Sequence, residues 1–281
     1  MYNNGIGVIF SLSELLEHGP GKLFDLGIDC VQLNCWDTEL MTRANAETAK
    51  ELLNDKIRIS SLWAGWGDNG PVIWNNIDGP HTIGIVPAAY RLQRLQALIK
   101  CADLASWLGV KDMATHVGFI PEHPSSPEYR GIVQAVKHVA DYCKSRGVHF
   151  NFETGQETPV TLMRIIKDIG NDNLGINLDP ANLILYGRGN PVDALDIFKG
   201  HIRGVHIKDG DYPKEDFCKL GQERVVGEGS VNFPVFLPKL LKQGYTGDLY
   251  IEREISGEQQ IVDIKKTITY VRELIAGNGA L

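Results

Sequence analysis

The sequence has few of the features that mark secreted, membrane or disulfide-rich proteins. Its five cysteines are odd in number and form no Cys-x-x-Cys pair, so they predict neither a disulfide framework nor a thiolate zinc site. No apolar run approaches the roughly 18 residues of a membrane span, and the N-terminus lacks a basic segment followed by an apolar one. These absences predict a soluble, cytoplasmic protein with no membrane partner.

The chain also lacks an excess of basic residues. Its net charge of −7 would repel a polyanion, so nucleic acid is not an expected partner. A hydrophobic content of 43% and a charged content of 22% are ordinary for a protein with a packed core. The length of 281 residues is close to that of one (β/α)8 barrel, which favours a single domain over residues 1–281.

Short apolar runs alternate with helical patterns along the whole chain. Eight strands are predicted, and they begin near Ile6, Cys30, Ile57, Val110, Val148, Leu174, Ile202 and Asp248. Eight strands that alternate with helices predict an α/β fold of the parallel, TIM barrel type. Two long connections interrupt the alternation. Residues 63–87 hold three of the five tryptophans and are predicted to form an ordered lid or pocket wall, and residues 209–232 are predicted as a loop.

Four metal-competent side chains stand at the carboxyl ends of four predicted strands: Glu153, Asp179, His206 and Glu252. Each alone has an ordinary explanation, such as an ion-paired carboxylate or a core histidine. All four together are better explained by a shared site, because barrel active sites lie at that end of the strands. Three carboxylates and one imidazole suit one divalent ion, and Mn²⁺, Co²⁺, Zn²⁺ and Mg²⁺ all remain open.

Polar residues are also predicted beneath three of these side chains. Strand alternation places Asn151, Asn177 and Tyr250 on the same inward face as the residue two positions later. Such residues could hold the ligands by hydrogen bonds. A polar layer satisfied by water is the alternative.

Several motifs resemble those of the sugar phosphate isomerase/epimerase family of xylose isomerase-like TIM barrels, which includes ketose 3-epimerases and inosose enzymes. The motifs are Glu153-Thr154-Gly155-Gln156-Glu157, Leu178-Asp179-Pro180-Ala181-Asn182, His206-Ile207-Lys208-Asp209, Gly227-Glu228-Gly229-Ser230-Val231-Asn232-Phe233 and Tyr250-Ile251-Glu252. The resemblance implies that Glu153, Asp179, His206 and Glu252 are the metal ligands. It also implies an isomerase or epimerase of a keto sugar or cyclitol, in which Glu153 and Glu252 exchange a proton from opposite faces of a metal-stabilised enediolate.

Other residues are candidates for contacting the substrate. His116, Glu157 and Lys208 could hold sugar hydroxyls, and Trp63 and Trp66 could stack on a sugar face. Solvated rim positions and plain lid packing are the alternatives. Many epimerases of the family carry a substrate-contacting histidine three residues after the aspartate ligand, where this chain has Asn182. That departure leaves the exact sugar and the reaction open.

Three other functions compete with an epimerase. A lyase or dehydratase would form the same enediolate next to a leaving group and expel it. A non-catalytic carbohydrate-binding barrel should have lost a ligand, and this chain retains all four. A trinuclear abasic-site endonuclease is disfavoured by Asn182, by the lack of a histidine pair after strand seven and by the negative charge.

Phosphate recognition and assembly stay undecided at the sequence level. No Gly-rich phosphate cradle lies between a predicted strand and helix, and Gly227-Glu228-Gly229 carries an acidic residue that would repel phosphate. A free sugar or cyclitol is therefore preferred as the substrate. Barrels of this kind often pair, so a homo-oligomer remains open.

Overall fold

The computed structural model describes residues 5–67 and 70–278. The strands are β1 Ile6–Ser11, β2 Cys30–Cys35, β3 Arg58–Ala64, β4 Asp112–Thr115, β5 His149–Glu153, β6 Leu174–Leu178, β7 Ile202–Ile207, β8 Asp209–Asp211, β9 Gln222–Arg224 and β10 Leu249–Ile251. Eight of them are parallel and close into a barrel in the order β1-β10-β7-β6-β5-β4-β3-β2, which confirms the predicted fold. The other two, β8 and β9, form a separate antiparallel pair.

Helices connect the barrel strands and pack around them. They are α1 Leu12–His18, α2 Gly21–Leu26, α3 Arg43–Leu53, α4 Gly79–Thr82, α5 Ala88–Leu108, α6 Pro127–Ser145, α7 Pro159–Ile169, α8 Pro180–Leu185, α9 Pro191–Ile197, α10 Phe233–Lys242 and α11 Glu258–Asn278. Ser126 and Thr158 are the N-caps of α6 and α7, where each accepts a backbone hydrogen bond in front of a proline at the first helical position. Among the described residues, none of the helices combines the length and apolar character needed to cross a bilayer.

Gly19 ends α1 with a φ of 73° and Pro20 follows, so α1 and α2 are separate helices. The structure also contains elements that the sequence analysis does not predict. The predicted loop 209–232 contains the β8–β9 ribbon, and α8 was not predicted as a helix at all. In the predicted lid, residues 79–82 form α4, whereas Asp68 and Asn69 lie outside the described residues.

Inward-facing polar residues distinguish the barrel interior from the surrounding core. On β5, Asn151 and Glu153 face inward, and the alternating Phe150 and Phe152 are fully buried in the core cluster outside the strands. The neighbouring strands are aligned so that Glu153 pairs with Asn177 in the parallel register. This alignment brings the carboxyl ends of β5, β6, β7 and β10 together at one end of the barrel.

Candidate metal centre

Glu153, Asp179, His206 and Glu252 meet at the carboxyl end of the barrel. One ligand atom from each lies within 4.8 Å of those of the other three. The centre of the group is His206 Nδ1, which lies 3.2 Å from Glu153 Oε1, 3.6 Å from Asp179 Oδ2 and 2.8 Å from Glu252 Oε2. We call these four residues the carboxylate–imidazole cluster. The sequence prediction that they lie together agrees with this geometry, and their role as ligands remains a proposal.

The helix that follows β6 orients the aspartate. Asp179 is the N-cap of α8, and its Oδ1 accepts the backbone N–H of Asn182 at 2.8 Å. Thr154 ties this turn to β5, because its hydroxyl donates to the Asp179 carbonyl at 2.7 Å and accepts the Asp179 N–H at 2.8 Å. The cap uses one carboxylate oxygen, so Oδ2 is directed at the cluster.

The cluster contains buried polar atoms that the protein itself does not satisfy. Within the described part of the chain, Asp179 Oδ2, His206 Nδ1 and Glu252 Oε2 have no partner in hydrogen-bond geometry. Leaving such atoms unpaired costs about 1–3 kcal/mol each, or more when they are charged. Oxygen atoms and one imidazole nitrogen that converge in this way form the donor set of a divalent cation. The residues present therefore fit one metal ion.

Gln32, on β2, fixes the orientation of the histidine. The Nε2–H of His206 donates to Gln32 Oε1 at 2.8 Å, and the Gln32 amide donates onward to the Ser61 hydroxyl at 2.7 Å. Because Gln32 Oε1 can only accept, the proton lies on Nε2 whenever the imidazole is neutral, and the Nδ1 lone pair then faces the carboxylates. Sequence reasoning missed Gln32. Its signal in the sequence was a polar residue on the inward-facing side of a strand whose only other amide residue is Asn34.

The three polar residues predicted beneath the ligands behave differently from one another. The side-chain amide of Asn177 lies 2.9 Å from His206 Nε2 and so contacts the cluster. Asn151 instead donates to Asp112 Oδ1 at 3.0 Å, and the Tyr250 hydroxyl lies 2.9 Å from Ser60 Oγ. Both side chains turn toward neighbouring strands. The expectation that they hold the carboxylates directly therefore does not match their observed hydrogen bonds.

The two glutamates of the cluster are surrounded by positive charge and by an indole donor. Trp63 Nε1 donates to Glu153 Oε2, and His116 Nε2 lies 3.6 Å from Glu153 Oε1. Burial by itself would raise the pKa of Glu153, but the charges of His116 and His206 outweigh burial and hold this pKa below its usual value. Burial likewise opposes ionisation of Glu252, yet Lys208 and His206 lower its pKa well below the usual value.

Lys208 directly follows β7 and lies beside the cluster, where it is almost completely buried. Its ammonium group lies 3.3 Å from Glu252 Oε1 and 2.8 Å from Glu254 Oε1, and it donates to Asn182 Oδ1 at 3.4 Å. Burial opposes its charge, but the carboxylates around it raise its pKa well above the ordinary value. Lys208 therefore neutralises part of the acidic charge and orients Glu252.

A cavity of about 370 Å³ opens above the cluster. Among the predicted substrate-contacting residues, Trp63, His116 and Asn182 line it, whereas Trp66 is fully buried and donates to Thr115 Oγ1 at 3.1 Å. Glu157 is also buried, and burial raises its pKa well above the usual value. Trp74, in the segment predicted as a lid or pocket wall, also lines the cavity. Sequence reasoning missed the remaining lining residues, which include Trp36, Tyr186 and Glu254 on three separate loops.

A closed (β/α)8 barrel with a carboxylate–imidazole cluster at its carboxyl end defines the class of the protein. The sequence profile of the xylose isomerase-like TIM barrel family matches residues 21–274. The chain belongs to this family.

Individual relatives agree with the family assignment. The crystal structure of a xylose isomerase domain protein from Planctomyces limnophilus is 32% identical, with a TM-score of 0.86 over 99% of this chain and 96% of that one. A D-tagatose 3-epimerase-like protein is 23% identical, with a TM-score of 0.75 over 98% of both chains, and at that identity it shows the fold alone. An inosose dehydratase from Geobacillus kaustophilus is 25% identical over 45% of this chain and 46% of its own length.

Proposed function

We propose that this protein is a divalent-metal-dependent isomerase or epimerase of a ketose or a related keto sugar or cyclitol. The observation that carries the proposal is the carboxylate–imidazole cluster, whose unpartnered atoms converge at the base of a cavity. The match to the xylose isomerase-like TIM barrel family and the D-tagatose 3-epimerase-like neighbour support this class of reaction. We also propose that residues 1–281 form one domain.

The chain's own residues provide the acid–base groups for such a reaction. A bound divalent ion supplies Lewis acidity that favours loss of a proton next to a carbonyl group. Glu153 and Glu252 both line the cavity, so each can exchange a proton with a ligand held between them. Trp63 orients Glu153 through its indole N–H, and Lys208 orients Glu252 and keeps it ionised. His116 and Asn182 line the same cavity and are placed to hold hydroxyl groups.

Metal content and proton exchange test this proposal together. Protein purified without chelator should contain about one divalent ion per chain by elemental analysis, and the Glu153→Gln, Glu252→Gln double variant should lose it. Solvent deuterium should enter an otherwise intact ketose or inosose with the wild-type protein. Glu228→Gln is the matched control, because Glu228 pairs with Lys266 at 2.7 Å on the exposed surface. Absence of metal under every loading condition would overturn the proposal.

A metal-dependent lyase or dehydratase is the second candidate. The relative that favours it is the inosose dehydratase, which matches about half of each chain. The same cluster would remove the same proton, and a neighbouring hydroxyl or aglycone would then leave. Mass spectrometry of the product formed in deuterated water separates the two reactions. The product of an epimerase contains deuterium and has lost no group, whereas the product of a dehydratase has lost water. Metal and sugar binding with no turnover would instead indicate a carbohydrate-binding barrel.

A further inference from the structure

Two large aromatic side chains line the cavity without any role in proton exchange. Trp36 follows β2 and Trp74 lies in the connection between β3 and α5, and their side chains are 39% and 42% exposed. Both belong to the wall of the cavity above the cluster, together with Leu185 and Leu220. Exposed indole rings at the rim of a cavity leave apolar area that a ligand could cover.

The two rings are held in place by the tryptophans behind them. The ring centroid of Trp36 lies 5.0 Å from that of Trp63 and 5.2 Å from that of Trp66, and Trp74 lies 6.0 Å from Trp66. A Cβ atom at position 65 would lie 2.7 Å from both the Cα and the ring of Trp36, so Gly65 permits this close packing. The aromatic surface is therefore preorganised, which lowers the entropic cost of binding a ligand to it.

This aromatic surface is continuous with the reacting end of the cavity. Trp63 contacts Trp36 on one side and donates its indole N–H to Glu153 on the other. A ligand held at the cluster would therefore meet Trp63 first and Trp36 farther out. Trp74 packs against His116 at a centroid distance of 5.4 Å, so it borders the same space.

The charges around the cavity argue for an uncharged ligand. Of the described residues that line it, none is a lysine or an arginine, whereas Glu153, Glu252 and Glu254 are acidic. The carboxylate of Glu254 is 58% exposed and pairs with Lys208, which is buried beneath. A phosphate or carboxylate on the outer part of the ligand would meet the carboxylate of Glu254 and no lysine or arginine of the cavity wall. Flat apolar faces with a polar rim instead match the C–H face of a neutral pyranose ring.

We propose that the substrate is an uncharged keto sugar that carries a second ring. The keto-bearing unit occupies the cluster, and the second ring stacks on Trp36 and Trp74. The proposal rests on the proposed function, because it places the reacting unit at the carboxylate–imidazole cluster. It assigns a binding role to two residues that the proton exchange does not need.

Calorimetric titration of the manganese-loaded protein tests the proposal without any variant. The probes are D-fructose and three disaccharides that attach a glucose ring to fructose and keep its keto group: turanose, maltulose and isomaltulose. At least one disaccharide is expected to bind about tenfold more tightly than D-fructose, which corresponds to about 1.4 kcal/mol. Equal affinities for all four sugars would overturn the proposal.

Variants assign the difference to the aromatic surface. Trp36→Ala and Trp74→Ala should each reduce the ratio of disaccharide to fructose affinity by at least about threefold, and Trp36→Leu serves if the alanine variant does not fold. Trp107→Phe is the control, because Trp107 lies on α5 outside the cavity wall. A ratio that survives both alanine variants would contradict the assigned surface.

The two proposals fail in different ways. Loss of the proposed function appears as protein without metal, or as metal-loaded protein that exchanges no deuterium into any ketose. Failure of the second-ring proposal appears as metal-loaded protein that exchanges deuterium into a monosaccharide and gains nothing from the second ring. The elemental analysis and the exchange assay are therefore run on the same samples as the titrations.

Discussion

The buried carboxylates at the two ends of the barrel differ in whether the protein supplies all of their hydrogen-bond partners. At the amino end, Asp248 accepts two hydrogen bonds from the Arg58 guanidinium at 2.8 Å each and a third from the Gly5 N–H at 2.8 Å. At the carboxyl end, three carboxylates surround His206, and Asp179 Oδ2 and Glu252 Oε2 have no hydrogen-bond partner among the described residues.

This difference links the amino end of the barrel to the stability of the fold and the carboxyl end to the proposed function. A buried carboxylate with all its partners supplied by the protein contributes to the folded state, and removing one partner is costly. A buried group of carboxylates without such partners is costly until a proton or an external cation binds among them. In (β/α)8 barrels the carboxyl end carries the active site and the amino end carries stability. The variants below should therefore have separable effects on chemistry and on folding.

The largest effect is expected at the carboxyl end. Glu252→Gln removes a proposed proton-exchanging group and proposed metal ligand, so the rate of deuterium exchange should fall by about 10²–10⁴-fold. The glutamine retains the shape of the side chain, so the metal-free variant should still unfold in one cooperative transition, although the loss of the charge beside Lys208 and His206 should lower its melting temperature. Isotope exchange monitored by NMR and thermal unfolding by circular dichroism measure the two quantities. Exchange at the wild-type rate would remove Glu252 from the mechanism.

A smaller effect is expected one layer below the cluster. Gln32→Leu removes the acceptor that keeps the imidazole proton on His206 Nε2, and metal affinity should fall by about 10–100-fold. Gln32→Glu keeps an acceptor at the same position and should restore most of the affinity. Competition with a chelator measures both constants. If both variants bind metal like the wild type, Gln32 has no orienting role.

The amino end should show the reverse pattern. Asp248→Ala removes three hydrogen bonds and leaves the Gly5 N–H and Arg58 without this partner, so the free energy of unfolding should fall by about 1–3 kcal/mol. Metal affinity per folded molecule should not change, because Asp248 lies at the opposite end of the barrel. Urea unfolding and chelator competition test the two statements. A large loss of metal affinity would show that the ends are coupled.

The smallest effect is the dependence of metal affinity on pH. Burial opposes the charge of His206, but the negative charges of Glu153 and Glu252 raise its pKa well above the usual value in the metal-free protein. Protonated His206 thus stabilises the metal-free fold at low pH, and this contribution is lost as the pH rises through the raised pKa. A cation must displace the proton, so its affinity should increase with pH by up to about tenfold per unit.

Calorimetry checks the proton release directly. Titrations of metal in two buffers that differ in ionisation enthalpy should give different apparent heats if a proton leaves on binding. In a His206→Asn variant, which retains a possible ligand atom but no titrating group, the difference should shrink. Identical heats for the wild type in both buffers would mean that His206 is already deprotonated before metal binds.

Local sequence determined the alternation of strands and helices and the positions of the four cluster residues at strand ends. These properties depend on residues that are close in the chain: the period of the apolar side chains, the N-caps Ser126 and Thr158, and the glycines that end helices. The alternation of side chains along β6 predicts that Asn177 faces inward, and its amide lies 2.9 Å from His206 Nε2. The helix α8 escaped prediction because six residues are too few for a helical period to be recognised.

Only the tertiary structure decided which inward-facing side chains meet. Gln32 and His206 are far apart in the chain, and their strands are separated in the barrel by β1 and β10. The alternation of side chains along each strand predicts that both face inward. Their contact depends on how the strands are staggered relative to one another when the barrel closes. The same closure directs Trp36 and Trp74, from separate connections, toward one cavity, and no local pattern encodes that meeting.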